Sequence, residues 1–267
     1  MVVGSVELVP LVDAVGELGE LAELFPDTSD WAPYRDLYPE IFASSRWRIP
    51  CTSYLLRSGD GSTVLVDTGV GPAGLWGWDA EFEEGLLPAL EGVGVAPKDV
   101  DVVFLTHLHV DHVGWNTDRE GVPVFPNARY VAHRDGIAFA GISGRPHIER
   151  TILAVEFEEI DGEAVVAEGV TAFPLPGHFP GHMGLRIDSE GERAVLIADA
   201  AVNPMLLDEP ERAYVSDGDA TACAATRRAL LPELVDQDVL VVCGHYPAGG
   251  IGHVVTREGR VVWEAAR

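Results

Sequence analysis

Four stretches of this chain each bring a metal-binding side chain to the end of a strand-like apolar run, and that repetition constrains the fold more than any other feature. "DVVFLT" at 101–106 leads directly into "HLHVDH" at 107–112. "LPGHFPGH" at 175–182 sets His178 in a Pro/Gly-rich loop after a strand, "LIADA" at 196–200 ends a strand at Asp199, and "VVCGHYP" at 241–247 ends one at His245. Side chains two apart in an extended chain share a face, so His107 and His109 can reach one ion. Two histidines on a zinc-binding helix would instead lie four apart. Asp111 and His112 lie just beyond, where a turn points them toward a second ion. Catalytic zinc commonly holds three protein ligands and a water, so two ions sharing a bridge need more ligands than the cluster supplies. The other loops are the source of the rest.

Between these points the pattern reads as strand pairs interleaved with single helices, a layered α/β arrangement whose sheet order periodicity does not settle. "CTSYLLRS" at 51–58 and "TVLVDTG" at 63–69 read as strands joined by the "GDG" turn at 59–61. Phe82, Leu86, Leu87 and Leu90 recur at helical spacing over about 79–92, and 147–155 is a further candidate helix. Further strands are expected at "ARYVAH" (128–133), Val165–Phe173, "HMGLRID" (182–188), "RAVLIAD" (193–199), "VLVVC" (239–243) and "RVVWEA" (260–265). Asp219 is the expected N-cap of a helix through about 235. No linker divides residues 1–267, so one domain is expected.

HLHVDH followed in order by Gly-His178, Ala-Asp199 and Gly-His245 resembles the metallo-β-lactamase superfamily, and "VDTG" at 66–69 matches a recurrent turn of that family. The resemblance implies a four-layer αβ/βα sandwich with the site at one edge. It implies His107, His109 and His178 on one zinc, Asp111, His112 and His245 on a second, and Asp199 bridging them; Fe, Mn or Co are alternative metals. Asp67 would orient ligand histidines from behind, or serve as a buried turn aspartate bonded to backbone amides. His182 is open between the same supporting role and a purely structural one. The ligand set and its spacing look most like the acyl-homoserine lactonases and the methyl parathion hydrolase group. The implied reaction is hydrolysis by a metal-bound hydroxide that opens a lactone or related carboxylic ester, with Asp111 passing a proton to the leaving oxygen. The alternatives are hydrolysis of an aryl phosphotriester or activated ester, and a metal-holding module without turnover. The lactonases often carry a tyrosine shortly after the bridging aspartate; Ala200, Ala201, Val202 and Asn203 stand here instead.

Trp76, Trp78, Trp115, Phe179, Met205 and Tyr246 flank the ligand loops or neighbouring turns and are candidates to line an apolar substrate pocket. The Pro- and aromatic-rich segment at 10–48 is a candidate cover for the site or a dimer contact. Charge narrows the partners: 43 acidic against 18 basic residues, with Lys98 the one lysine, give a formal −25 that repels polyanions. Nucleic acid is therefore excluded as a partner, leaving a small-molecule substrate and a homodimer by likeness. Without a signal-like start or a spanning apolar run, a soluble, cytoplasmic protein is expected. Cys51, Cys223 and Cys243 are too scattered for a disulfide framework and read as buried small apolar residues.

Overall fold

Alternation with period two decides which face of each strand is buried, and here both faces are. Tyr54 and Leu56 point one way while Leu55 points the other; Val102 and Phe104 oppose Val103 in the same manner, and all of these are buried. Strands apolar on both sides belong between two layers. The computed structural model describes residues 1–72, 80–81, 85–142 and 152–266. Among them, one 8-stranded sheet comprises β1 (Val2–Val3), β2 (Val6–Glu20), β3 (Arg46–Arg57), β4 (Thr63–Val66), β5 (Ala80–Glu81), β6 (Val102–Phe104), β7 (Arg129–His133) and β8 (Phe157–Ile160). A 7-stranded sheet comprises β9 (Ala164–Ala167), β10 (Val170–Pro174), β11 (Met183–Ser189), β12 (Glu192–Leu196), β13 (Leu240–Val242), β14 (Ile251–Arg257) and β15 (Arg260–Ala265).

The inner faces meet in a core that joins Val64, Val102 and Phe104 to Leu185, Leu196 and Val242. Leu86, Leu90 and Ala140 cover the outer face of the first sheet, and Leu230 and Leu234 of the helix Ala220–Leu234 cover the second. The result is the expected αβ/βα sandwich. Parallel pairing of β4 with β6, and of β12 with β13, brings the chain out at strand ends after residues 66, 104, 196 and 242. Asp67, the 107–112 cluster, Asp199 and His245 follow these ends.

Several sequence expectations need correction. Val165–Phe173 is two strands, because Gly169 takes a φ of 73° and folds β9 back on β10 with Val170 opposite Ala167. The expected helix over 79–92 spans Leu86–Gly92; Ala80–Glu81 pairs with β2 instead, and Gly85 at φ 77° interrupts the chain before the helix begins. Phe82, Trp76, Trp78 and residues 147–151 lie outside the described residues. β8 and β14 were not anticipated. Nor was β2, the 15-residue strand that lies along β3 within the segment treated as Pro- and aromatic-rich. Its register shifts between Val12 and Ala14 and again between Glu17 and Gly19. These bulges leave Asp13 and Leu18 out of the pairing, and bulges of this kind re-aim side chains. Asp13 is fully buried, whereas Leu18 borders the cavity described below.

Candidate metal centre and active-site cavity

The strand ends bring the seven expected ligands together around Asp199. Its two carboxylate oxygens face different groups. Oδ2 lies 3.7 Å from His107 Nε2 and 3.3 Å from His178 Nε2. Oδ1 lies 3.6 Å from His112 Nε2 and 3.3 Å from His245 Nε2. His109 Nδ1 completes the first group, 2.9 Å from His107 Nε2 and 3.0 Å from His178 Nε2. Asp111 Oδ2 completes the second, 3.5 Å from His245 Nε2 and 3.7 Å from His112 Nε2.

Outer contacts fix which ring nitrogen faces inward. His112 Nδ1 donates to Asp67 Oδ2 at 2.7 Å, His178 Nδ1 to Asp217 Oδ1 at 3.0 Å, and His245 Nδ1 to the Pro50 carbonyl at 2.8 Å. Thr106 Oγ1 donates to Asp67, leaving its oxygen to accept from His107 Nδ1 at 3.1 Å. Each Nε2 is thereby left as a lone pair aimed at Asp199 and its neighbours, the tautomer a metal requires. Asp67 fills both roles considered for it, since it also accepts from the Thr106 backbone N–H at 2.8 Å. It sits at φ 58°, and at the nearby Gly69 a Cβ would come within 2.3 Å of Asp13 Oδ2. His182 does not face the group directly. Its Nδ1 donates to the Leu175 carbonyl and its Nε2 accepts from the Asp199 backbone N–H, so it holds the central aspartate's main chain.

The donor set fits divalent cations. His112 Nε2 and Asp199 Oδ1 are buried without a hydrogen-bond partner among the described residues. At 3.6 Å they are too far apart to bond to one another. That span suits two ligands on one tetrahedral ion with bonds of about 2.0–2.2 Å. The electrostatics agree. Burial pushes His109 and His182 down to about 3, with the positive charge of a protonated His178 adding to it. Burial works against protonation of His112 and His245 as well, but the neighbouring Asp199 outweighs it and holds both well above the ordinary histidine value. Burial would raise Asp199, yet His245, His112 and His107 together hold it well below the carboxylate range. A positive charge is thus wanted at this point, and in the protein alone protons provide it.

A cavity of about 640 Å³ opens onto this group. Leu18, Ile49, Val110, Val202, Tyr214 and Val215 give it an apolar wall, and Asp111, whose side chain is 19% exposed, borders it. Among the described residues, the aromatics expected there stand elsewhere. Trp115 turns away and donates through Nε1 to Asp13 at 2.8 Å. Met205 is wholly buried in the core beyond the second sheet, and Tyr246 packs edge-on against Trp263 at 5.1 Å. Phe179 touches the rings of His107 and His109 but borders a neighbouring cavity of about 570 Å³ instead.

Asp217, Arg227, Tyr214 and the placement of Cys51 were not read from the sequence. Asp217, 39 residues from His178, is held by the fully buried Arg227 at 2.6 Å. Arg227 also donates to the Ala200 carbonyl, next to Asp199. An acidic "SDGD" at 216–219 ahead of a helix was a signal, absorbed by the capping role of Asp219, which does accept from Ala222 N. Tyr214 precedes that stretch. Cys51, buried as expected, nonetheless lies beside the second group, with Sγ 4.0 Å from Asp111 Oδ2.

The family model for the metallo-beta-lactamase superfamily matches residues 46–245. Among curated proteins, an N-acyl homoserine lactonase of Bacillus cereus is 27% identical over 213 residues, 74% of this chain and 81% of that protein. The N-acyl homoserine lactonase AttM of Rhizobium radiobacter is 25% identical over 75% of this chain and 83% of its own. Among solved structures, the dizinc quorum-quenching lactonase AidC superposes with a TM-score of 0.84 at 22% identity, covering 100% of this chain and 96% of that one. No helix among the described residues is long and apolar enough to cross a membrane. Family match, relatives and shared fold agree with the ligand geometry: the chain belongs to the metallo-beta-lactamase superfamily and is a metal-dependent hydrolase.

Proposed function

We propose that this hydrolase opens the ring of N-acyl homoserine lactones, holding two divalent ions, zinc by preference, at the paired ligand groups. The carrying observation is Asp199, which presents one oxygen to His107 and His178 and the other to His112 and His245. Nitrogen-rich ligation favours zinc. The relatives described as N-acyl homoserine lactonases support the substrate class.

Two such ions would supply Lewis-acid polarisation of a carbonyl and a water activated near neutral pH. The protein's own part is positional. His107, His109 and His178 would hold one ion, Asp111, His112 and His245 the other, with Asp199 fixing their separation. Asp67, Asp217 and Pro50 keep the imidazoles turned inward. The wall from Leu18 to Val215 takes the acyl chain and excludes water from that side, making segment 10–48 part of the cover through β2. Asp111 borders the cavity and passes a proton to the ring oxygen as the C–O bond breaks.

The test is acid release, followed with a pH indicator, from metal-quantified protein given acyl-homoserine lactones, simple γ- and δ-lactones, aryl esters and a phosphotriester, with His109→Ala as control. Lactone opening that disappears in the control is the expected result. Inert lactones beside rapid aryl-ester or phosphotriester cleavage would replace this reading, and metal binding without turnover of any substrate would remove catalysis altogether.

A further inference from the structure

Cys51 stands on β3 between two residues that hold the loop carrying His245. The Pro50 carbonyl accepts from His245 Nδ1 at 2.8 Å, and Thr52 N donates to the Gly244 carbonyl at 3.1 Å. The two segments lie so close that a Cβ on Gly244 would come within 2.7 Å of the Thr52 carbonyl oxygen. Cys51 and His245 are thereby fixed against one another. The thiol sulfur, a carboxylate oxygen of Asp111 and an imidazole nitrogen of His245 all lie within 4.8 Å of one another. Sγ is 4.0 Å from Asp111 Oδ2, a long reach for the weak S–H donor. The same span suits sulfur and oxygen on one ion, with bonds of about 2.3 Å and about 2.0–2.2 Å. A second observation marks this point from the other side. His112 Nε2 and Asp199 Oδ1, in residues 5% and 4% exposed, have no hydrogen-bond partner among the described residues. The first lies 3.7 Å from the same Asp111 Oδ2, and the second 3.3 Å from His245 Nε2. Asp111 and His245 border the cavity, whereas Cys51, 1% exposed, is not among the described residues that line it. A sulfur donor placed there closes the position from behind and leaves the cavity side open.

We propose that Cys51 is a further ligand of the second ion, bonding through its thiolate beside Asp111 and His245. This rests on the two-ion reading above. As the bond forms, a sulfur lone pair goes to the ion and the thiol proton leaves to water. With His112 and Asp199 the chain then offers five donors at this position, more than an ordinary catalytic zinc holds. Asp111 is the most exposed of the five. It is therefore the one able to turn toward the ring oxygen while the sulfur keeps the ion in place. A thiolate also changes which ion the position selects, favouring zinc over manganese.

Cobalt-substituted wild type should show a thiolate-to-cobalt charge-transfer band in the near ultraviolet. The band should vanish in Cys51→Ser while the visible bands of bound cobalt remain, and persist in Cys223→Ser, whose thiol packs against Gly177. X-ray absorption of the zinc-loaded wild type reads the same bond without a variant, as a sulfur scatterer at about 2.3 Å. In competition with a chromophoric chelator, Cys51→Ser should weaken the second ion by at least the about 10- to 100-fold that loss of a group behind a ligand costs, leaving the first within about twofold. Manganese affinity should fall less than zinc affinity. A wild type with neither band nor sulfur scatterer overturns the proposal, as does a band that survives in Cys51→Ser. None of these readouts needs turnover. Lactones left intact by protein whose band depends on Cys51 would therefore fail the substrate reading and support the ligand, whereas uptake of a single ion without sulfur would overturn both the ligand and the two-ion reading.

Discussion

Two buried aspartates, Asp13 and Asp199, show how one chemical group can serve structure in one place and chemistry in another. Asp13 is enclosed by N–H donors: Val70 N at 2.7 Å, Gly71 N at 3.2 Å, Leu86 N at 2.7 Å and Trp115 Nε1 at 2.8 Å. Asp199 is enclosed by the Nε2 atoms of His107, His178, His112 and His245, and its Oδ1 has no hydrogen-bond partner among the described residues. Burial raises Asp13 above the usual carboxylate value despite its four donors, whereas His245, His112 and His107 hold Asp199 well below it although it is buried too. The protein completes the first site with its own backbone. The second asks for a cation from outside.

The difference can be broken from the Asp199 side first. Asp199→Asn removes the charge shared by both ligand groups, and metal analysis with the acid-release assay should show loss of bound metal and of measurable turnover. Stripping metal from the wild type should lower thermal stability as well. Metal at a thousand times its Kd adds about 4 kcal/mol, or roughly 10 °C at about 2–4 °C per kcal/mol. A melting temperature indifferent to chelator would contradict the view that Asp199 lacks its complement in the protein alone.

At the other centre the expected cost falls on folding. Asp13→Ala leaves four donors without their acceptor and should destabilise by about 3–5 kcal/mol in urea denaturation, since each stranded buried group carries a penalty of about 1 kcal/mol or more. A loss under 1 kcal/mol would mean water replaces the carboxylate and the cradle is not structural. Asp217→Asn tests an intermediate case, a carboxylate that reaches the cation only through His178. Metal affinity measured by competition with a chromophoric chelator should weaken about 10- to 100-fold, as expected for the group behind a ligating histidine. Smallest is Leu18→Ala, which trims the cavity wall while leaving both carboxylates intact. It should raise KM for long-chain substrates by about 1 kcal/mol of lost apolar contact and leave short-chain KM unchanged.

The same contrast explains what the sequence disclosed. HLHVDH was legible as a candidate site because four side chains able to bind a metal within six residues need only local backbone geometry to converge, and His178, Asp199 and His245 because each follows a strand. Asp217 was not, since its partner lies 39 residues away and a loop aspartate before a helix reads first as a cap. β2 was hidden by its bulges, which break the alternation that marks a strand. Yet an aspartate within "LVPLVDAVG" at 8–16 was a usable sign, because a carboxylate interrupting an apolar strand must find donors. The cavity wall was least legible: Trp115 and Tyr246, near candidate ligands in sequence, pack elsewhere, while Leu18, Ile49, Tyr214 and Val215 of the wall come from β2, β3 and the 214–216 loop.

Each sheet is built from one unbroken stretch of chain, the first ending at Ile160 and the second beginning at Ala164. During synthesis the earlier half can therefore pair its strands, and bury Asp13 once Trp115 has emerged, before any of the later half exists. It would carry His107, His109, Asp111 and His112 with no partners across the seam. Their counterparts His178, Asp199 and His245 arrive only with the second sheet, which also brings the residues that cover the first sheet's inner face. Closing the apolar core and gathering the two halves of the candidate ligand set are therefore one event.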